Sequence, residues 1–109
     1  GALIAAFPDE ITQSECRQMI TYMSRNQIAV LIQAGVPSGI TVAHKHGWAN
    51  ETDGLIHTIG DTALLYTPGG NYVLTIFVHH PVQAVFDPVN ALFAELSQAI
   101  YNYYNNFGQ

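Results

Sequence analysis

Lys45-His46-Gly47 is the stretch of this chain whose residue types and spacing first point to chemistry. It ends an extended run from Ile40 that is rich in β-branched residues and reads as a strand. A lysine at a strand end holds an anion. A glycine after it lets a ligand lie against the strand edge. Alone, the tripeptide fits a solvated surface lysine better than a binding site. Histidines form the second group. His44 and His46 flank Lys45, so on a strand both imidazoles point to one face. Two such histidines are the start of a zinc or iron site. A third ligand and a carboxylate at the right depth are still required, and spacing alone supplies neither. Adjacent His79 and His80 point opposite ways on a strand, so at most one of them joins. No metal and no cofactor is expected.

A nucleophile is harder to find. Ser14, Ser24, Ser38 and Ser97 are followed three residues later by Arg17, Gln27, Thr41 and Ile100, so Ser-x-x-Lys is missing. Neither a Gly-x-Ser-x-Gly elbow nor a glycine-rich phosphate loop occurs. Cys16, the one cysteine, forms no intramolecular disulfide and falls on the apolar stripe of a helix, where a core role is expected. No catalytic residue is therefore assigned within this chain.

The elements that position these residues follow from pattern. Thr12-Gln-Ser-Glu15 has the form of a capping box. Cys16, Met19, Ile20 and Met23 then recur at helical spacing, which predicts a helix over about 12–25 with Asn26 as its stop. Residues 28–34 are apolar and fit a short helix or a strand. Strands are predicted over about 40–47, 55–66 and 72–80. The first gives way at Gly47 to a polar loop, and Gly60-Asp61 marks a bulge or bend in the second. Thr67-Pro-Gly-Gly-Asn71 is a hairpin connection. The third strand is so continuously apolar that burial on both faces is expected. Asp87 as N-cap and Pro88 at the first helical position open a long amphipathic helix over about 88–105, and its stripe runs on to Phe107. Residues 1–109 read as a single α+β unit: a three-stranded antiparallel sheet flanked by an N-terminal helix and a long C-terminal helix.

Composition bounds what such a unit does. Hydrophobic residues make up 49% and charged residues 10%, well under the roughly 25% of ordinary soluble domains. Intrinsic disorder is excluded. Three Lys plus Arg against eight Asp plus Glu give a net charge of -5, which argues against nucleic acid as a partner. No apolar run approaches the roughly 20 residues of a membrane span, and no secretion signal opens the sequence. So apolar a chain has more surface to hide than it hides alone, and a partner, an oligomer or a missing piece is expected.

The order of elements, together with Val36-Pro-Ser-Gly39, Val42-Ala-His-Lys-His-Gly-Trp48, residues 61–66 and Pro68-Gly-Gly-Asn-Tyr-Val-Leu74, resembles the C-terminal portion of class A β-lactamase-like serine hydrolases, the penicillin-recognising and DD-peptidase superfamily. The likeness runs from about residue 11 to residue 104. It implies a partial β-lactamase/transpeptidase-like fold whose Lys-Thr/Ser-Gly strand walls the substrate site. Carried over, Lys45 supplies charge for the substrate carboxylate, and His46 stands where the family offers a hydroxyl. Gly47 lets substrate lie along the strand, and the backbone amide of Trp48 is an oxyanion donor. The resemblance implies that the Ser-x-x-Lys nucleophile, the Ser-Asp-Asn-type motif and the deacylating glutamate belong to a preceding part of the protein. It implies partners as well: the remainder of the parent domain, and a β-lactam or peptide-like substrate. A secreted or periplasmic bacterial setting goes with it. The isolated chain is expected to be inactive and to self-associate. The competing reading is a non-catalytic binding or assembly module that recognises an anionic or peptide ligand.

Overall fold

Thr12 and Glu15 start the first helix reciprocally. Thr12 Oγ1 accepts from the Glu15 amide at 3.2 Å, and Glu15 Oε2 accepts from the Thr12 amide at 2.8 Å, which is the predicted capping box. The computed structural model describes residues 5–25 and 28–106. Helix α1, Gln13–Ser24, packs on the first strand, and Arg25 closes it. The predicted stop at Asn26 and the last residue of the predicted C-terminal apolar stripe, Phe107, lie outside the described residues. None of the α1 side chains is fully buried. Cys16 is half-buried rather than in the core, because α1 lies on the outer side of the sheet and only one edge of its stripe meets protein.

Three strands form one antiparallel sheet in the order β1 (Thr41–Asn50), β2 (Ile56–Tyr66), β3 (Tyr72–His79). Alternation along β2 is clean: His57, Ile59, Asp61, Ala63 and Leu65 are all buried on one face. Val42, His44 and His46 of β1 share that face. Tyr72, Leu74, Ile76 and Val78 of β3 do so too. β1 continues past Gly47 to Asn50, since Gly47 pairs with Gly60 and Trp48 with Ile59. The register shift lies between Trp48 and Asn50, not at Gly60-Asp61, where the ladder is regular. Gly60 serves another purpose. A Cβ there would strike the Phe77 ring, so the glycine admits that ring across the strands.

β3 is covered on one face only. Val73 and Phe77 are 65% and 69% exposed, against the two-sided burial its sequence predicts. Both protrude on the side away from the long helix, where the described residues supply no second layer over β3.

The long helix α2, Phe86–Asn106, covers the buried face. It starts earlier than Asp87-Pro88 predicts: the Val89 amide bonds to the Val85 carbonyl at 3.2 Å. Pro88 still sits in the first turn, where an amide would have no intrahelical partner. Phe93 is fully buried and joins Val42, Ile59, Ala63, Leu65 and Val89 in the core.

Between helix and sheet lies the ambiguous apolar stretch, which forms a 3₁₀ turn, Leu31–Gly35. Neither a strand nor an α-helix forms because its hydrogen bonds go to distant partners. The Leu31 amide donates to Asn90 Oδ1 at 2.6 Å, and Ser97 Oγ donates to the Ile32 carbonyl at 2.7 Å. Those anchors hold Leu31 at φ 57°, an uncommon value for a residue with a side chain. Gly35 is required by proximity: a Cβ there would meet the Ala94 carbonyl and Ser97. The turn is thereby fixed to α2, with its free side facing the buried face of β1 and β2.

Candidate functional site

Strand alternation divides the Lys45-His46-Gly47 stretch between two faces. Lys45 is exposed on the side that carries α1, and its Nζ donates to the His46 carbonyl at 2.7 Å. Two shallow, open concavities meet at this lysine. One is lined by Tyr22, Met23, Arg25, His44 and Lys45. The other is lined by Lys45, His46, Gly47 and Trp48, four consecutive residues of β1. Gly47 lies open, since a Cβ there would meet nothing within 4 Å. Arg25 is a component that sequence reasoning missed. It and Lys45 are two of the chain's three Lys and Arg residues, and they share one rim of an otherwise acidic chain.

The His46 ring turns to the other face, as alternation demands. It stacks on Trp48 with ring centroids 5.1 Å apart, and Trp48 meets Phe86 of α2 edge-on at 5.6 Å. His46 is therefore placed differently from a hydroxyl beside Lys45. What it presents at the strand edge is its carbonyl, which holds the lysine amine. Burial presses the His46 pKa below its ordinary value, and His44 and Lys45 act in the same direction, while Asp61 opposes them.

Behind Lys45, on the covered face, a polar group is sealed into the core. Asp61 pairs with His46 across the ladder and lies 3.1 Å from His44 Nδ1. The Ile32 amide donates to Asp61 Oδ2 at 3.2 Å, and His44 Nε2 lies 3.0 Å from Gln33 Oε1. His44 and Asp61 are each 1% exposed. The sequence shows His44 and His46 on one face but leaves out Asp61 and Gln33. Asp61 becomes visible only when the β1–β2 register is known, and Gln33 only when the turn is placed.

A second histidine–carboxylate pair closes the far end of β2. His57 Nε2 contacts Asp53 Oδ2, and His57 Nδ1 donates to the His80 carbonyl at 3.0 Å. The bond to Asp53 raises the His57 pKa above 6.5, and the His80 carbonyl adds to the effect. The sign follows from linkage. A raised folded pKa gives stability that is fully present below 6.5 and is lost as pH rises through the folded value. NMR titration is expected to show His57 titrating above 6.5, and Asp53→Ala should return it toward that value. An unchanged midpoint in Asp53→Ala counts against the pair.

The helix-backed antiparallel sheet with a lysine at its exposed edge strand defines a β-lactamase-like α+β architecture. The family model for the beta-lactamase enzyme family matches residues 4–104, and the chain belongs to that family. Solved structures share the fold. PBP-A is 22% identical with a TM-score of 0.74, over 97% of this chain and 37% of its own. A beta lactamase from Burkholderia vietnamiensis is 19% identical with a TM-score of 0.74, over 98% of this chain and 38% of its own. An ancestral class A beta-lactamase is 23% identical with a TM-score of 0.68, over 91% and 38%. This chain thus spans well under half the length of these relatives. No curated protein sequence matches it.

Proposed function

We propose that this chain is the C-terminal part of a serine hydrolase that opens a β-lactam, or a related amide or ester, through an acyl-serine intermediate. The observation that carries the reading is that Arg25 and Lys45 line one open concavity beside β1, in a chain of the beta-lactamase enzyme family. Two cations on one rim of a protein of net charge -5 suit a substrate carboxylate. The open backbone at Gly47 lets the acyl group lie along β1, and the Trp48 amide is the oxyanion donor. The attacking serine belongs to the part of the domain outside these residues. Its oxygen forms the ester bond as the amide C–N bond breaks and the leaving nitrogen takes a proton. Water then releases the acid.

A related solved structure is described as an acyl-enzyme complex of a PBP-A variant with penicillin G. Fluorescent penicillin is accordingly the probe. The full-length protein is expected to become covalently labelled on a serine that precedes this segment. A correctly folded full-length protein that takes no label overturns the β-lactam reading.

The isolated 109 residues should neither label nor hydrolyse. They should self-associate through the open side of β3, where Val73 and Phe77 stand exposed. Light scattering at micromolar concentration is expected to give a dimer or larger, and Val73→Lys with Phe77→Lys to shift it toward monomer. A monomeric unmodified chain contradicts the expectation.

A further inference from the structure

The group behind Lys45 has the composition and shape of a metal site. Among the described residues, His44, His46 and Asp61 each offer one ligand atom, and these atoms lie within 4.8 Å of one another. Zinc binds imidazole nitrogen and carboxylate oxygen at roughly 2.0–2.2 Å, which sets tetrahedral neighbours roughly 3.4 Å apart. His44 Nδ1 and Asp61 Oδ2 are already 3.1 Å apart. The remaining closure, at most roughly 1.4 Å on that ligand geometry, involves His46, the least buried of the three.

The surroundings strengthen the case. A metal-bound imidazole characteristically gives its other N–H to a carbonyl or carboxylate, and a ligating carboxylate is itself hydrogen-bonded. Here His44 Nε2 faces Gln33 Oε1 at 3.0 Å, and Asp61 Oδ2 accepts the Ile32 amide at 3.2 Å. Both supports come from the 3₁₀ turn anchored on α2. A surface cluster of chance histidines has no such backing. Two imidazoles with one carboxylate select a divalent transition ion over magnesium or calcium, which take oxygen ligands.

We propose that His44, His46 and Asp61 bind one divalent transition-metal ion of the zinc class, oriented by Gln33 and the Ile32 amide. The fourth position opens on the half-exposed His46 side and takes water or a small anion. An ion there ties β1 to β2 directly behind Lys45, so it braces the strand edge from the face that substrate does not use. The inference does not rest on the hydrolase reading, and its test reads metal rather than turnover.

Cobalt(II) is the probe, added to chelator-treated full-length protein. One equivalent is expected to give visible d–d bands of four-coordinate intensity, and zinc to displace it one for one. Gln33→Ala should weaken binding by about 10–100-fold, and His46→Ala should weaken it further. His46 is partly exposed and its removal leaves the His44–Asp61 pair in place, so that variant retains the fold, which circular dichroism checks. His79→Ala with His80→Ala should change nothing. The proposal fails if no bands form, if His46→Ala binds as tightly as the parent, or if binding is lost with His79 and His80.

Discussion

Asp61→Ala is expected to destabilise the fold by about 3–5 kcal/mol, the range for removing one member of a buried pair. The carboxylate serves two donors at once, His44 Nδ1 and the Ile32 amide. Neither has water to turn to, since His44 is 1% exposed and Ile32 fully buried. Each orphaned donor carries its own desolvation penalty of about 1–3 kcal/mol. Loss of the carboxylate also removes one of the two polar ties between the 3₁₀ turn and the sheet and leaves the contact of Gln33 with His44. Equilibrium urea unfolding measures the loss. Asp61→Asn keeps an acceptor for Ile32 and should cost less. Replacing His44 and Asp61 together by leucine should recover most of the stability, because it removes the stranded donor along with its acceptor. If Asp61→Ala unfolds at the urea midpoint of the parent, the pair is not a structural element of this core.

The contrast between Asp61 and its neighbours shows which parts of this protein are legible in its sequence. Local rules place Thr12 and Glu15, the Pro-Gly turn, and the common face of His44 and His46, because each depends on residues a few positions apart. Asp61 meets His46 through strand pairing, and that needs the register. The same limit explains the turn at Leu31–Gly35. Its anchors, Asn90 and Ser97, lie on the far side of the sequence. Leu31 at φ 57° goes against its own local preference and persists because those distant bonds hold it. Arg25 escaped notice for a related reason. It terminates a helix whose sequence faces solvent, and only packing of α1 on β1 brings it to Lys45. Val73 and Phe77 raise a different issue. Their pattern specifies a buried strand, and the described residues cover only one face of it. The chain spans 37% and 38% of the length of two solved relatives, and the part of them it does not cover is where a second layer over β3 is expected under the proposed function.

Lys45→Ala in the full-length protein should slow acylation by penicillin by about 10–100-fold, the scale of losing one hydrogen bond to a charged group, about 1.5–3 kcal/mol. The lysine amine sits on the His46 carbonyl, 2.7 Å away, and no carboxylate of the described residues forms an ion pair with it. Its charge is thus directed to the open edge instead of being spent within the sheet. Arg25 stands on the same rim and retains part of the field, so Arg25→Ala should act mainly on KM and Lys45→Ala on kcat as well. Lys45→Arg separates charge from shape. A guanidinium preserves attraction for the substrate carboxylate but not the compact amine geometry, so partial activity is the expected result. Higher salt should weaken binding in the parent and matter less in Lys45→Ala, because the rim is solvent-exposed. Acylation of Lys45→Ala at the parent rate would remove the lysine from the substrate site, and with it the reason for placing substrate along this edge of β1.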